Sequence, residues 1–358
     1  MNIHCDIFCA VIDNFGDAGV CWRLARQLAR EKAWSVRLWI DVVAPLAGLR
    51  PGIDPALPRQ EVDGVTIVSW AAPFPDVKPG EVVIEAFACE LPVEFIAAMA
   101  RQPRPPVWIN LEYLSAEDWV GGCHGLASPH PTLPLRKHFF FPGFTVGTGG
   151  LIREEYADFS PHERGTELTV SLFCYDNPAL PLLLDAWAQG AEPVTCLVAD
   201  GLPRRQVAAW SGEAFEPGRQ IEHGSLRLVA APFVVQSEYD RRLGSCDLNF
   251  VRGEDSFVRA QWAKRPFVWQ IYPQPESAHH EKLEAFLKLY NSGLDALAAQ
   301  AVRDFWRAWN GSGDIAAAWP ALRKALPALA SRAGPWAQRI AEPGNLVDNL
   351  ARFCREML

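Results

Sequence analysis

Two carboxylates, Asp13 and Asp17, stand in the polar stretch that follows the apolar run Cys5-Asp6-Ile7-Phe8-Cys9-Ala10-Val11-Ile12. An apolar run of this length reads as a buried parallel strand, and Val20 to Glu31 reads as the helix after it. Ligands of open α/β sheets sit in the crevice outside the carboxyl ends of the strands, which is where both aspartates fall. Dinucleotide sites put glycines there, so that a pyrophosphate can approach a helix N-terminus. Two aspartates repel a pyrophosphate, so a cation or a proton donor is the better guest. The plain alternative is that Asp13 and Asp17 close a turn and cap the helix.

A second segment carries the opposite chemistry. Arg252-Gly253-Glu254-Asp255-Ser256-Phe257 follows a short apolar run and opens a helical pattern. Gly253 supplies flexibility, and Asp255 or Ser256 suits the N-cap. The N–H groups at such a helix start, with Ser256 and Arg252, could bind a nucleotide diphosphate; simple capping explains the same residues. A third segment, Ser171-Leu172-Phe173-Cys174-Tyr175-Asp176-Asn177-Pro178, ends another strand, and its alternation turns Phe173 and Tyr175 to one side.

Strands and helices must position these loops. Apolar runs predict strands at 35–40, 65–70, 82–87 and 106–111, with helical spacing over 91–101. The alternation restarts with strands at 168–173, 194–199 and 226–230, an apolar run at 246–251 and a strand-like run at 266–272. Helices are expected at 179–189, at 256–263, and from His279 nearly to the end, interrupted near Pro320, Pro327, Gly334 and Pro343. Such alternation implies βαβ units and mostly parallel sheets. Three domain-level segments follow: 1–152, 167–340 and a helical tail at 341–358, with the polar stretch 153–166 as connection. No internal sequence repeat is visible.

Composition narrows the class. The chain has 358 residues, 49% hydrophobic and 21% charged, with a formal net charge of −8. It is long enough for two folded domains. No apolar run reaches the roughly 20 residues of a membrane-spanning helix, and no export signal is evident at the N-terminus. The acidic balance argues against a nucleic-acid partner. Nine cysteines with no C-x-x-C pair argue for reduced thiols, several buried (Cys5, Cys9, Cys174, Cys196), and for a cytoplasmic protein without a structural zinc site.

The run from Val11 to Leu28, with Leu111-Glu112-Tyr113-Leu114-Ser115-Ala116-Glu117-Asp118-Trp119 and Val251 to Trp262, resembles the EarP family, protein-arginine rhamnosyltransferases that modify bacterial elongation factor P. The resemblance runs along the whole chain. It implies a GT-B fold, in which two Rossmann-like domains face a central cleft and the last helix often returns to the first domain. It implies TDP-β-L-rhamnose as donor, elongation factor P as acceptor, inversion, and no divalent metal or other cofactor. Asp17 is then the main base and Asp13 the orienter of a guanidinium, with these roles open to exchange; a guanidinium is permanently charged and weakly nucleophilic, so paired carboxylates suit it. Donor-side residues would be Phe173, Tyr175, Arg252, Glu254, Asp255 and Ser256, with Glu254 also needed for activity. Phe233 could stack on the base, with Gln236 and Arg241 nearby. The alternatives are a GT-B transferase of another sugar or acceptor, or a non-catalytic sugar-nucleotide or translation-factor binder. A dehydrogenase is disfavoured, since neither half has a G-x-G-x-x-G after a strand.

Other groupings read as structural. His279-His280-Glu281 suggests a metal, but adjacent histidines on a helix should diverge into solvent. Cys123-His124 imitates a reactive pair. Gly147 to Gly150 could nest a phosphate or form an inter-domain turn. The aromatics of 138–144 are expected in inter-domain packing or a cleft wall. Gln274 or Glu276 could reach a ribose, and Glu112 and Tyr113 could shape an acceptor pocket.

Overall fold

The structure, a computed structural model, describes residues 3–13, 15–155, 157–159, 167–274 and 279–358. Asn14, Glu276 and most of the expected connection at 153–166 lie outside them. The chain divides into two units, Met1–Tyr156 with Ile340–Leu358, and Ala157–Arg339.

The first unit opens with β1 (His4–Cys9), α1 (Phe15–Lys32), β2 (Ser35–Ile40), α2 (Ala44–Leu49), β3 (Arg59–Val62), β4 (Val65–Ser69) and β5 (Val82–Ala86). It continues with α3 (Val93–Ala100), β6 (Val107–Leu111), α4 (Val120–Cys123), β7 (Ala127–Pro129) and β8 (Arg136–Phe140). The sheet order is β3-β4-β2-β1-β5-β6-β8-β7. β1 lies centrally, parallel to β2 from His4↔Ser35 to Cys9↔Ile40 and to β5. Because strand side chains alternate, Ile7 joins Trp22, Leu24 and Leu28 on the α1 face, and Phe8 joins Trp39, Phe95 and Trp108 on the other. Asp6 is the buried exception. Its carboxylate takes Arg37 Nε, Trp39 Nε1 and the Gly80 amide, as a buried charge requires.

β1 stops at Cys9, three residues short of the expected run to Ile12. Val11 donates to Asp41 Oδ1, and Ile12 and Asp13 donate to Asp17 Oδ2. Carboxylates draw these amides out of the ladder, and Ile12 is left 68% exposed.

The second unit contains β9 (Leu168–Leu172), α5 (Leu180–Gln189), β10 (Val194–Val198), α6 (Leu202–Ser211), β11 (Gln220–His223) and β12 (Leu226–Ala230). After them come α7 (Gln236–Ser245), β13 (Leu248–Arg252), α8 (Asp255–Trp262), β14 (Phe267–Gln270), α9 (His279–Asn291), α10 (Ala296–Trp309) and α11 (Ile315–Ala341), whose last two residues fall in the first unit. Its sheet order, β11-β12-β10-β9-β13-β14, repeats the first six strands of the other sheet position for position. Both begin at an antiparallel edge hairpin, β3–β4 and β11–β12.

α11 runs unbroken through Pro320, Pro327 and Gly334-Pro335, where interruptions were expected near Pro320, Pro327 and Gly334, and ends at Ala341, just before the expected break at Pro343. Proline removes a helix donor and crowds the carbonyl four residues back, but all three prolines are exposed, on the side where water can take up that carbonyl. The opposite stripe, Trp319, Leu322, Leu326, Leu329, Ala333, Trp336 and Ile340, is buried at alternating three- and four-residue steps and holds the helix down. The last helix, α12 (Leu346–Met357), belongs to the first unit. Leu346 donates to Leu151 O and Asn349 Nδ2 to Gly149 O, and Phe353 meets Phe140 at 5.6 Å between centroids. Eleven of the fourteen tryptophans are buried, as core filling predicts.

Candidate active site

The two units each present a polar cluster at the carboxyl ends of their central strands. In the first unit Asp17, only 3% exposed, lies in the first turn of α1. One of its oxygens accepts from the amides of Ile12 and Asp13, both at 2.8 Å, and the Tyr113 hydroxyl from the end of β6 also donates to it. Burial pushes its proton affinity above the ordinary aspartate value; the Asp13 and Ile12 amides pull it down, Asp41 pushes it up and Tyr113 pulls it down. The result is a carboxyl that takes a proton more readily than an exposed aspartate. Asp13 is half-buried beside it. Gly16 donates to the Asp13 carbonyl at 2.6 Å, and a Cβ at Gly16 would lie 2.5 Å from Asp13 Oδ2. Glycine at 16 is therefore what lets the Asp13 carboxylate rest where it does. Asp41, just beyond β2, was not singled out by the sequence; its position one residue past an apolar strand was the available signal. At the end of β6, Glu112 accepts from Asn110 Nδ2 and Tyr113 stacks on Phe87.

In the second unit the structure gathers Phe173, Tyr175, Arg252 and Ser256. Phe173 and Tyr175 follow the end of β9, and the Arg252 guanidinium lies 4.5 Å and 4.4 Å from their ring centroids. The two rings do face one way, toward that cation. Gly253, at φ +57°, turns the chain from β13 into α8 while its amide donates to Gln270 O. Gln270 Oε1 also accepts from the Tyr175 amide at 2.8 Å, so the end of β14 fixes both loops. Sequence reasoning missed Gln270, Tyr239 and Tyr272. Tyr239 packs edge-on against Phe173, and Tyr272 against Tyr175. Burial raises the Tyr239 phenol above its ordinary value, while Ser256 lowers it.

The capping expectation is corrected. Glu254 occupies the N-cap position of α8, with no side-chain capping bond. The Ser256 hydroxyl accepts from the Arg252 amide and donates to the Arg252 carbonyl. Asp255 accepts from Arg259 Nε, and Arg259 binds both oxygens of Asp240. This buried guanidinium ties α7 to α8, because a buried charge must be paired. Phe233 is 46% exposed before α7. Three residues on, the Gln236 side chain is buried with neither amide atom hydrogen-bonded among the described residues. Arg241 pairs with Asp158.

The other groupings separate clearly. His279 and His280 do not diverge: their rings lie 4.3 Å apart, half-buried at the start of α9, and His279 Nδ1 accepts from the Gln274 amide. Among the described residues no three His, Cys, Asp or Glu side chains group to hold a metal ion. His124 Nδ1 accepts from the Phe141 amide, so it is spent on backbone rather than on Cys123. The Gly149 amide donates to Phe141 O and Thr148 to Thr145 O, tying 147–150 into a turn of the first unit. Phe140, Phe141 and Phe144 are buried. Phe140 packs on His124 and Phe353 and Phe141 on Trp119, contacts within the first unit that follow from β8 joining the sheet beside β6.

The family model described as the elongation-factor P (EF-P) rhamnosyltransferase EarP matches residues 5–162 and 157–355. The chain belongs to the EarP family. Protein-arginine rhamnosyltransferases from Pseudomonas putida and Pseudomonas aeruginosa are 46% and 44% identical to it, over 100% and 99% of both chains. A solved structure described as the structural basis for EarP-mediated arginine glycosylation of EF-P matches with TM-score 0.69 and 34% identity over the whole of both chains. The calicheamicin glycosyltransferase CalG4, at TM-score 0.55 and 12% identity, shares the fold. The chain is thus a GT-B glycosyltransferase in a family of protein-arginine rhamnosyltransferases, and no helix among its described residues is long and apolar enough to cross a membrane.

Proposed function

We propose that this EarP-family enzyme transfers L-rhamnose from TDP-β-L-rhamnose to an arginine of elongation factor P, with inversion and without a divalent metal. The observation that carries the reading is Asp17, a buried carboxyl of raised proton affinity fixed by two backbone amides at a strand exit. A guanidinium nitrogen becomes nucleophilic only as its proton leaves. Asp13 and Asp17 bind the acceptor guanidinium through charge-assisted bonds. Asp17 accepts its proton as the new C–N bond forms and the C–O bond to the diphosphate breaks, and attack opposite the leaving group yields an α-rhamnosyl arginine.

The second unit would receive the donor. Arg252, stacked on Phe173 and Tyr175, keeps its charge and planar donors for the diphosphate, and the opening amides of α8 add positive potential. This fixed charge compensates the departing TDP, the task a metal performs elsewhere. Ser256 holds the Arg252 backbone, and Asp255, through Arg259, holds α8. Glu254 turns toward sugar or ribose hydroxyls, and Phe233 and Gln236 receive the base, Gln236 through its unspent amide. The nine free cysteines and a translation factor as acceptor support a cytoplasmic setting. Intact-mass and fragment mass spectrometry of elongation factor P, incubated with enzyme, TDP-rhamnose and a metal chelator, tests this. One deoxyhexose on one arginine is expected; no mass change, with the donor still bound by calorimetry, would sink the acceptor assignment.

A further inference from the structure

Asp17 is addressed from three elements besides its own helix. The exit of β1 offers the Ile12 and Asp13 amides, the end of β2 offers the Asp41 carboxylate, and the end of β6 offers the Tyr113 hydroxyl. On α1 itself the Cys21 thiol, one turn away, also faces Asp17. Asp41 is fixed by the Val11 amide at 2.9 Å. Tyr113 is fixed by its ring, stacked on Phe87 at 4.4 Å between centroids and 15° between planes. Phe87 and Ala88 follow β5 at φ +58° and +53°, a backbone region non-glycine residues seldom adopt. Their amides are pinned to Leu111 O and Asn110 Oδ1 of β6. A left-handed loop on one strand thus clamps the ring that the neighbouring strand's end aims at Asp17.

We propose that Tyr113 and Asp41 are positioning residues that act on Asp17 with opposite signs. The Tyr113 hydroxyl bonds to the ionised carboxylate, favours it and aims it. The Asp41 charge repels it and favours the protonated form. Together they leave a carboxylate that is aimed yet still basic enough to take a proton from a guanidinium. The consequence for catalysis rests on Asp17 being the base; the effect on Asp17's own titration does not.

The test pairs two near-isosteric variants with a direct readout. Tyr113→Phe keeps the ring on Phe87 and removes only the hydroxyl; Asp41→Asn keeps an oxygen for Val11 and removes only the charge. Carbon-13 NMR titration of aspartate-labelled enzyme, with Asp17 assigned by loss of its signal in Asp17→Asn, reports the carboxyl itself. The expected result is a midpoint about one pH unit higher in Tyr113→Phe and lower by up to about one unit in Asp41→Asn. The acid limb of kcat should move the same way in each, with the donor KM unchanged. Midpoints that stay put, or move in the same direction in both variants, would overturn the inference. Midpoints that move in opposite directions while the acid limb stays fixed would uphold it and overturn only Asp17 as base.

Discussion

The two sheets share one strand order through six strands, yet different groups gather at their central carboxyl edges. Beyond β1 and β2 stand Asp13, Asp17 and Asp41; beyond β9 stand two aromatic rings, and the last residue of β13 sets its guanidinium over both. The same topology offers the same crevice in each unit, and what enters is decided by a handful of loop residues. On the proposed reading, the carboxylates take a cation that must lose a proton, and the guanidinium with its helix start takes an anion that must leave.

Breaking either side should damage a different step. The largest effect is expected from Asp17→Asn, which removes the proposed proton acceptor with little change in shape. Here kcat should fall on the order of 10²–10⁴-fold, measured by single-turnover transfer. Next, Arg252→Ala should weaken TDP-rhamnose binding by about 10- to 100-fold. Arg252→Lys should recover little of it, since an ammonium lacks the planar face that stacks on an aromatic ring; calorimetry reads both. Gly16→Ala places a methyl where Asp13 Oδ2 lies. Because a side-chain end can yield, melting temperature should hold while kcat drops about tenfold through the displaced carboxylate. The wild-type pH profile sharpens the first side. Base catalysis needs ionised Asp17, whose proton affinity burial raises, so activity should fall on acidification at a pH above the ordinary aspartate range. Smallest is Ser256→Ala, which frees the Arg252 backbone. Thermal denaturation should show about 1 kcal/mol lost, with donor affinity down about two- to threefold.

Much of the fold was legible because parallel strands such as Val82–Ala86 and Val107–Leu111 are buried on both faces and read as mostly apolar runs. What escaped was polar or short. β3 (Arg-Gln-Glu-Val) and β11 (Gln-Ile-Glu-His) are edge strands with half their residues or more in solvent, and α7 buries Gln236 and Asp240 rather than an apolar stripe. The topological repeat also left no trace, since βαβ handedness fixes strand order without fixing residues. In the site, Asp13, Asp17, Phe173, Tyr175 and Arg252 were readable as residue types at strand exits. Asp41, Gln270 and Tyr239 were not, because each acts through a partner distant in sequence: Asp41 on Val11, Gln270 on Tyr175, Tyr239 against Phe173. The capping alternative for Asp255 and Ser256 failed although both residue types suit an N-cap, because a buried guanidinium and a loop carbonyl compete for them.

The most direct test of the division of labour is titration calorimetry of TDP-rhamnose into Asp17→Asn and Arg252→Ala side by side with the wild type. The account predicts an unchanged donor Kd for Asp17→Asn and a Kd raised by about 10- to 100-fold for Arg252→Ala. Donor affinity lost in Asp17→Asn and kept in Arg252→Ala would contradict it.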